Sequence, residues 1–256
     1  MTLLVIFVAL LLSPPALAEE IDPDRPELTE SAKLVPRGAL QLESGLALSR
    51  ERRGGRRAEK TFEAEADLRI GVMRDLELDL GWSPLVHVWG PEKDTGIGDV
   101  TLGVRYRFVE GVEDQPWPPY VAVKAFAKLP AADEPRGTGR PDFGLLLLAS
   151  LELPQDFELE LNVGGAAVGQ SRPNDYLAQA IATASLSREL ARPLLGFVEL
   201  LFSSREEPGG RAQLAANVGL VYRLTRSLAI DAGVQTSLAG PGPDYVVRTG
   251  LSVLWR

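Results

Sequence analysis

Asp99-Val100-Thr101-Leu102-Gly103-Val104-Arg105-Tyr106-Arg107-Phe108 is the stretch whose reading decides the fold. Val100, Leu102, Val104, Tyr106 and Phe108 fall on one side of an extended chain, and Asp99, Thr101, Gly103, Arg105 and Arg107 fall on the other. Successive side chains of a β-strand point to opposite faces, so this alternation describes a strand with one apolar and one polar side. The same two-residue beat returns at residues 62–70, 76–80, 157–163, 228–235 and 247–255.

A soluble sandwich turns its apolar face inward, whereas a membrane barrel turns it toward lipid and lines its lumen with the polar face. Four features favour the barrel. The segments run about 10 to 13 residues, the span a tilted strand needs to cross a bilayer. Soluble strands are usually about half that length. Short turns at 73–75, 154–156, 190–193 and 225–226 alternate with longer polar loops at 50–58, 87–97, 131–141, 169–175, 204–210 and 239–243. Such alternation is usual for bacterial barrels. The connection at 109–119 breaks the rule by its length. Aromatic residues gather near strand ends, where an amphipathic ring suits the membrane interface. Trp82, Trp89, Phe143, Tyr176, Phe202 and Tyr245 fall at one rim, and Tyr106, Phe108, Trp117, Tyr120, Phe157, Tyr222 and Trp255 at the other, with Phe126 and Phe197 as exceptions. Finally, the chain ends in a strand whose penultimate residue, Trp255, is aromatic. That ending resembles the terminal strand outer-membrane proteins present to the barrel assembly machinery, although Arg256 follows it.

The expected strands are 38–49, 59–72, 76–86, 98–108, 119–129, 142–153, 157–168, 176–188, 194–203, 211–224, 227–238 and 244–255. The fold class is therefore all-β, a closed antiparallel transmembrane barrel of about 12 strands, an even number that returns both ends to the periplasm. Closure is obligatory, because hydrocarbon leaves no water to satisfy an open sheet edge.

The flanks and the composition fit an exported protein. Residues 1–18 carry an apolar run and an Ala16-Leu17-Ala18 site, which reads as a signal peptide cut before Glu19, although no Lys or Arg precedes the run. Residues 19–37, rich in Pro and charge, are expected to form a flexible periplasmic segment ahead of a barrel spanning 38–256. With no cysteine among 256 residues, disulfides contribute nothing to stability. A net charge of −8 argues against a nucleic-acid partner.

The segment Gly96-Ile97-Gly98-Asp99-Val100-Thr101-Leu102-Gly103-Val104-Arg105-Tyr106 resembles the G-x-G-D stretch of a family of outer-membrane transporters labelled as phenol-degradation (meta-pathway) proteins. The resemblance implies a closed barrel that takes up small compounds, aromatic ones among them. It implies no catalytic residues.

In the expected registers Glu63, Glu65, Asp67, Arg69, Glu77, Asp79, Asp99, Arg105, Arg107, Lys124, Lys128, Glu158, Glu160, Asp231 and Arg248 line the pore. Glu43, Asp142, Glu152, Glu199 and Arg223 share that face. Pairing of the third and fourth strands sets Glu77 near Arg107 and Asp79 near Arg105. The charges either brace the wall or form a constriction with a mild cation preference. Function then reads as passive passage of small molecules, with aromatic or cationic compounds as candidates. Arg50, Arg52, Arg53, Arg56 and Arg57 make the first outer loop basic and suit lipopolysaccharide phosphates, otherwise a solvated hairpin tip. Partners are thus outer-membrane lipid, lipopolysaccharide, the assembly machinery and a small solute. No metal or cofactor is expected, since Cys and His clusters and EF-hand spacing are lacking.

The rival readings are a membrane-embedded hydrolase of the outer-membrane phospholipase type, a non-transporting structural barrel and a soluble exported β-protein. A hydrolase needs a nucleophile beside a base. His87 is the one histidine, and Ser83 falls on the same face of an unbroken strand, too far along it to bond.

Overall fold

The computed structural model describes residues 20–52, 58–90, 93–133, 136–137, 139–170 and 175–256. Residues 1–18, expected to form a signal peptide, lie outside them. Among the described residues thirteen strands follow one another: β1 (Leu40–Glu51), β2 (Glu59–Met73), β3 (Leu76–Trp89), β4 (Asp94–Gly96), β5 (Val100–Val109), β6 (Tyr120–Leu129), β7 (Asp142–Leu153), β8 (Phe157–Gln170), β9 (Asp175–Ala191), β10 (Leu194–Ser203), β11 (Gln213–Thr225), β12 (Leu228–Ala239) and β13 (Tyr245–Trp255). Twelve form the wall, each antiparallel to its neighbours, and β1 pairs with both β2 and β13 to close the ring. The short β4 only adds to the outer end of β3.

Each expected strand has its counterpart, and the bounds differ by a few residues at most. Tight turns join β2 to β3, β7 to β8, β9 to β10 and β11 to β12, and the longer connections emerge at the opposite end. The long connection on the turn side, between β5 and β6, is folded on itself by bonds such as Val112 N–H to the Pro118 carbonyl at 3.3 Å.

The two faces are sorted as a bilayer demands. Leu102, Val104, Leu145, Leu147, Val163, Val198, Leu200, Val218, Ile230 and Val234 all point outward and are exposed, while Glu43, Arg69, Glu77, Asp79, Arg105, Glu160, Glu199 and Asp231 are buried inside. A soluble protein would invert both sets. What apolar core exists is small and internal, with Ile21, Val35, Ala39, Val221, Ala229 and Leu254 at the turn end. A second group, Ala32, Tyr120, Ala122, Leu146 and Leu148, packs with Phe126 and Ile181. The aromatic residues that fit neither rim, Phe126 and Phe197, therefore face the lumen, each laid against a strand glycine, Gly144 and Gly219 respectively.

Two local expectations are corrected. Glu77 lies opposite Arg105 and not Arg107, because β3 and β5 pair one step further along than a symmetric hairpin would place them. Arg107 instead reaches Asp75 at 2.9 Å and Glu110 at 3.7 Å. A register shift between Ala64 and Ala66 marks a bulge in the β2–β3 pair, and it inverts the parity of the outer end of β3. Ser83 keeps the inward parity of Glu77 and Asp79 and faces the lumen beside Glu63, while His87 turns outward and stands edge-on to the exposed Trp89, ring centres 4.3 Å apart.

Val198 lies near the middle of β10 on the outer face and is 56% exposed. In water Val198→Arg would be nearly neutral; facing hydrocarbon it is expected to cost about 2–4 kcal/mol. Urea titration of folding into lipid vesicles measures this, and a loss under about 0.5 kcal/mol, the range of ordinary surface changes, would place the residue in water.

Candidate functional site: a lumen filled by the leading segment

Residues 20–37, expected to hang free in the periplasm, run inside the barrel. Polarity of this kind cannot build a packed core by itself, but a polar lumen offers partners that composition alone does not show. Ile21 starts at the turn end, its N–H donating to the Arg226 carbonyl at 2.7 Å. The segment climbs to Leu28, crosses the lumen through Thr29 and Glu30, and returns to the turn end, where the Gly38 N–H meets the Gly71 carbonyl at 2.7 Å. It makes a plug.

Wall charges hold the plug leg by leg. Asp24 bridges Arg69 at 3.3 Å and Arg105 at 2.8 Å. Arg25 reaches Glu65 at 2.6 Å, and Glu30 takes both Arg105 at 2.9 Å and Lys124 at 2.7 Å. Lys33 sits between Glu152 at 3.0 Å and Glu158 at 2.6 Å. Other hydrogen bonds fill the gaps: Glu199 accepts the N–H groups of Leu28 and Thr29 and the Thr29 hydroxyl, Ser185 donates to Glu27, and Asn162 donates to the Glu30 carbonyl while accepting its N–H. Val35 N–H donates to Glu77. Glycines cut the wall to shape, since a side chain at Gly45 would strike Arg25, one at Gly71 the Pro36 carbonyl, and one at Gly233 would crowd Pro26.

The plug's own ionisable groups reflect this setting. Burial pushes the Asp24 carboxyl up, but Arg105 and then Arg69 outweigh it and hold the group below the usual carboxylate range. Burial likewise opposes the Lys33 ammonium, yet Asp22 and Glu158 keep its pKa above the ordinary value. Glu27 goes the other way. Burial drives it well above the usual range, and Glu199, Asp22 and Asp24 add to the rise against the Ser185 hydroxyl.

All fifteen expected pore-lining residues turn inward, but they do not act alike. Arg69, Glu77, Asp79, Arg105 and Lys124 form one buried cluster with Asp24 and Glu30. Glu65 and Asp231 meet Arg25, Arg248 lies by Glu65 at 3.8 Å, and Glu158 meets Lys33. Lys128 bridges Asp99 at 3.7 Å and Asp142 at 2.5 Å near the loop end, and Arg107 is spent on the turn side. Glu160 is buried beside Ser150. Glu63 and Asp67 line an inner cavity of about 320 Å³ along the β1–β5 wall. Across the lumen the wall carries fewer charges, with Glu160 and Glu199 beside Asn162, Thr183, Ser185, Asn217 and Gln235 and apolar Ile181, Leu201 and Ala215.

Above the plug an open vestibule of about 900 Å³ widens toward the loops, with the side chain of Leu28 in its floor and Ile181, Leu201, Gln179, Gln213 and Gln235 on its sides. Below the plug, a gap of only about 20 Å³ remains among Asp22, Glu27, Glu160, Ser187 and Arg223. Of the arginines assigned to lipopolysaccharide, Arg50 lies 4.0 Å from Asp244 and Arg52 borders the vestibule. Arg53, Arg56 and Arg57 lie outside the described residues.

The residues sequence reasoning missed are those of the plug, chiefly Asp24, Arg25, Glu30 and Lys33. Their signal was available as alternating signs in a short segment next to a barrel whose inner face carries both signs.

A closed barrel of twelve strands, apolar outside and ionised within, is an outer-membrane β-barrel, and its place is the bacterial outer membrane. The chain belongs to the family described as "Putative MetA-pathway of phenol degradation", whose model matches residues 23–255. Its fold is similar to that of an outer membrane channel from Pseudomonas putida F1, 12% identical over 92% of this chain and 100% of that one, with a TM-score of 0.71. The NanC porin is similar at 11% identity over 84% of this chain and 98% of its own, TM-score 0.57. The translocator domain of the autotransporter NalP from Neisseria meningitidis follows at 12% identity, 84% and 88% coverage and a TM-score of 0.51. No curated protein matches the chain.

Removing one partner of a buried ion pair typically costs 3–5 kcal/mol, so Asp24→Asn is expected to loosen the plug by about tenfold or more. Because the chain has no cysteine, Ala32→Cys, fully buried against the wall, is a clean reporter of plug release. Maleimide labelling at that position is expected to accelerate in the Asp24→Asn background; an unchanged rate would mean the ion pairs do not retain the plug.

Proposed function

We propose that this chain is a passive outer-membrane channel for small solutes, closed in the form described here by its own residues 21–36. The observation that carries the reading is the longitudinal profile of the lumen. A solute-sized vestibule of about 900 Å³ opens on the loop side and stops at Leu28, and the way onward is blocked by a segment bonded to the wall through side chains instead of being built into the sheet. Such a blockage can shift without breaking a strand.

The solute class follows from what the walls offer. Ile181, Leu201 and the plug's Leu28 supply an apolar surface beside the amides of Gln179, Gln213 and Gln235, and Glu51, Arg52, Glu206, Glu207 and Arg211 border the same vestibule. Across from them lie Glu63 and Asp67. Small compounds with an apolar ring, neutral or cationic, suit that combination, and the family's phenol-degradation label points the same way. The reading includes contact of the basic first loop, Arg50 to Arg57, with lipopolysaccharide, and delivery by the assembly machinery through the strand that ends at Trp255.

Planar-bilayer conductance and liposome swelling test this. The full chain is expected to show small, brief steps and slow solute entry, and a variant lacking residues 21–36 larger steps and faster entry. Asymmetric salt is expected to give a reversal potential favouring cations. A full chain that never conducts, beside a deletion variant that does, would instead support a structural barrel sealed by its plug.

A further inference from the structure

One rung of the wall is built as a seat for a guanidinium group. Across β2, β1, β13 and β12, Glu65 lies opposite Gly45, Gly45 opposite Gly250, and Gly250 opposite Asp231. Three strand spacings separate the two carboxylate-bearing residues by roughly 14 Å, and the two glycines between them leave the floor bare. A Cβ on Gly45 would lie 2.0 Å from Arg25 Nη2 and 2.6 Å from the Thr249 carbonyl, and one on Gly250 would lie 2.6 Å from the Ser44 carbonyl and 2.7 Å from both Arg25 Nε and Asp231 Oδ2, so the glycines serve the strand pairing as well as the cation. The trough is therefore shaped around a flat cation.

In this structure the occupant is the plug's Arg25. Its Nη1 donates to Glu65 at 2.6 Å, its Nη2 to the Thr249 carbonyl at 3.3 Å, and its Nε approaches Asp231 at 3.6 Å. The three acceptors are spread as a planar fork requires, and an ammonium could meet only one or two of them. Asp231 is only 6% exposed, and neither of its oxygens has a hydrogen-bond partner. A buried carboxylate turned toward the trough with unspent acceptors marks a place where a better-seated cation would gain. Glu65 is shared with Arg248 Nε at 3.8 Å, and Glu43 spends its carboxylate on the backbone N–H groups of Asp24 and Arg25.

We propose that this seat belongs to the wall and binds the guanidinium group of a free solute, an alkylguanidinium, in competition with Arg25, so that the occupant unseats the plug. Every group forming it lies on a paired strand, so the seat persists when residues 21–36 move. The inference rests on the channel reading above for its consequence, and its binding half stands apart from it. A tethered group acts at an effective concentration on the order of millimolar, and a free solute competes in that range.

The test uses the full chain with Arg25→Ala, which alters the plug and leaves every strand residue in place; its unheated gel mobility checks that the barrel is formed. Calorimetric titration with methylguanidinium is expected to show saturable one-to-one binding to Arg25→Ala, and binding weaker by about tenfold or more when Asp231→Asn is added, as expected from losing a charged partner. Methylammonium is expected to bind far less well, and Arg25→Lys to leave the seat largely available. In the Ala32→Cys chain that keeps Arg25, methylguanidinium is expected to speed labelling more than methylammonium at equal ionic strength. Absence of saturable binding to Arg25→Ala, equal binding of the two cations, or indifference to Asp231→Asn would overturn the seat. A chain that binds but never conducts would sink the channel reading alone, and one that conducts without binding would sink the seat alone.

Discussion

Ionised groups taken out of water must meet partners, and that requirement shapes the inside of this barrel. Arg69 and Arg105 are 2% and 1% exposed, deeper than an uncompensated guanidinium is tolerated. Wall carboxylates supply part of the compensation through Glu43, Glu77 and Asp79. Asp24 and Glu30 of the plug supply the rest. Plug and wall are thus one electrostatic unit, and the lumen's contents follow from the charges the strands project into it.

An ionic seal differs from an apolar one in what can undo it. Packed leucines yield little until water enters, whereas ion pairs and hydrogen bonds exchange for water or for another ion one at a time. Such a seal is firm at rest because buried pairs are weakly screened. It is also selective in what it answers to, since a competitor has to match the charge and shape of the group it replaces. The plug's other hydrogen bonds, Thr29 to Glu199 and Asn162 to Glu30, fix the register in which those charges meet.

The strand pattern was legible because lipid on one side and water on the other impose a two-residue alternation, clear at 99–108, 62–70, 76–80, 157–163, 228–235 and 247–255. The inward set could be read for the same reason. The path of residues 20–37 could not, because its partners lie on strands far along the chain and only the closed sheet brings them together. Pairing details failed where geometry departs from the regular ladder. The bulge near Ala64 moved His87 to the outer face, and the offset of β3 against β5 exchanged the partners of Glu77. Phe126 and Phe197 looked like misplaced rim residues; they are internal, each filling the space left by a glycine on the next strand.

The rung Gly45–Gly250 also lies where the first and last wall strands meet, the joint that makes the sheet a cylinder. Arg25 straddles that joint, touching Glu65 on one side and Asp231 on the other. A cylinder joined two residues out of step would slide the glycines apart and leave the guanidinium nowhere to lie. The seating of one plug residue is therefore tied to the register of the seam that closes the wall.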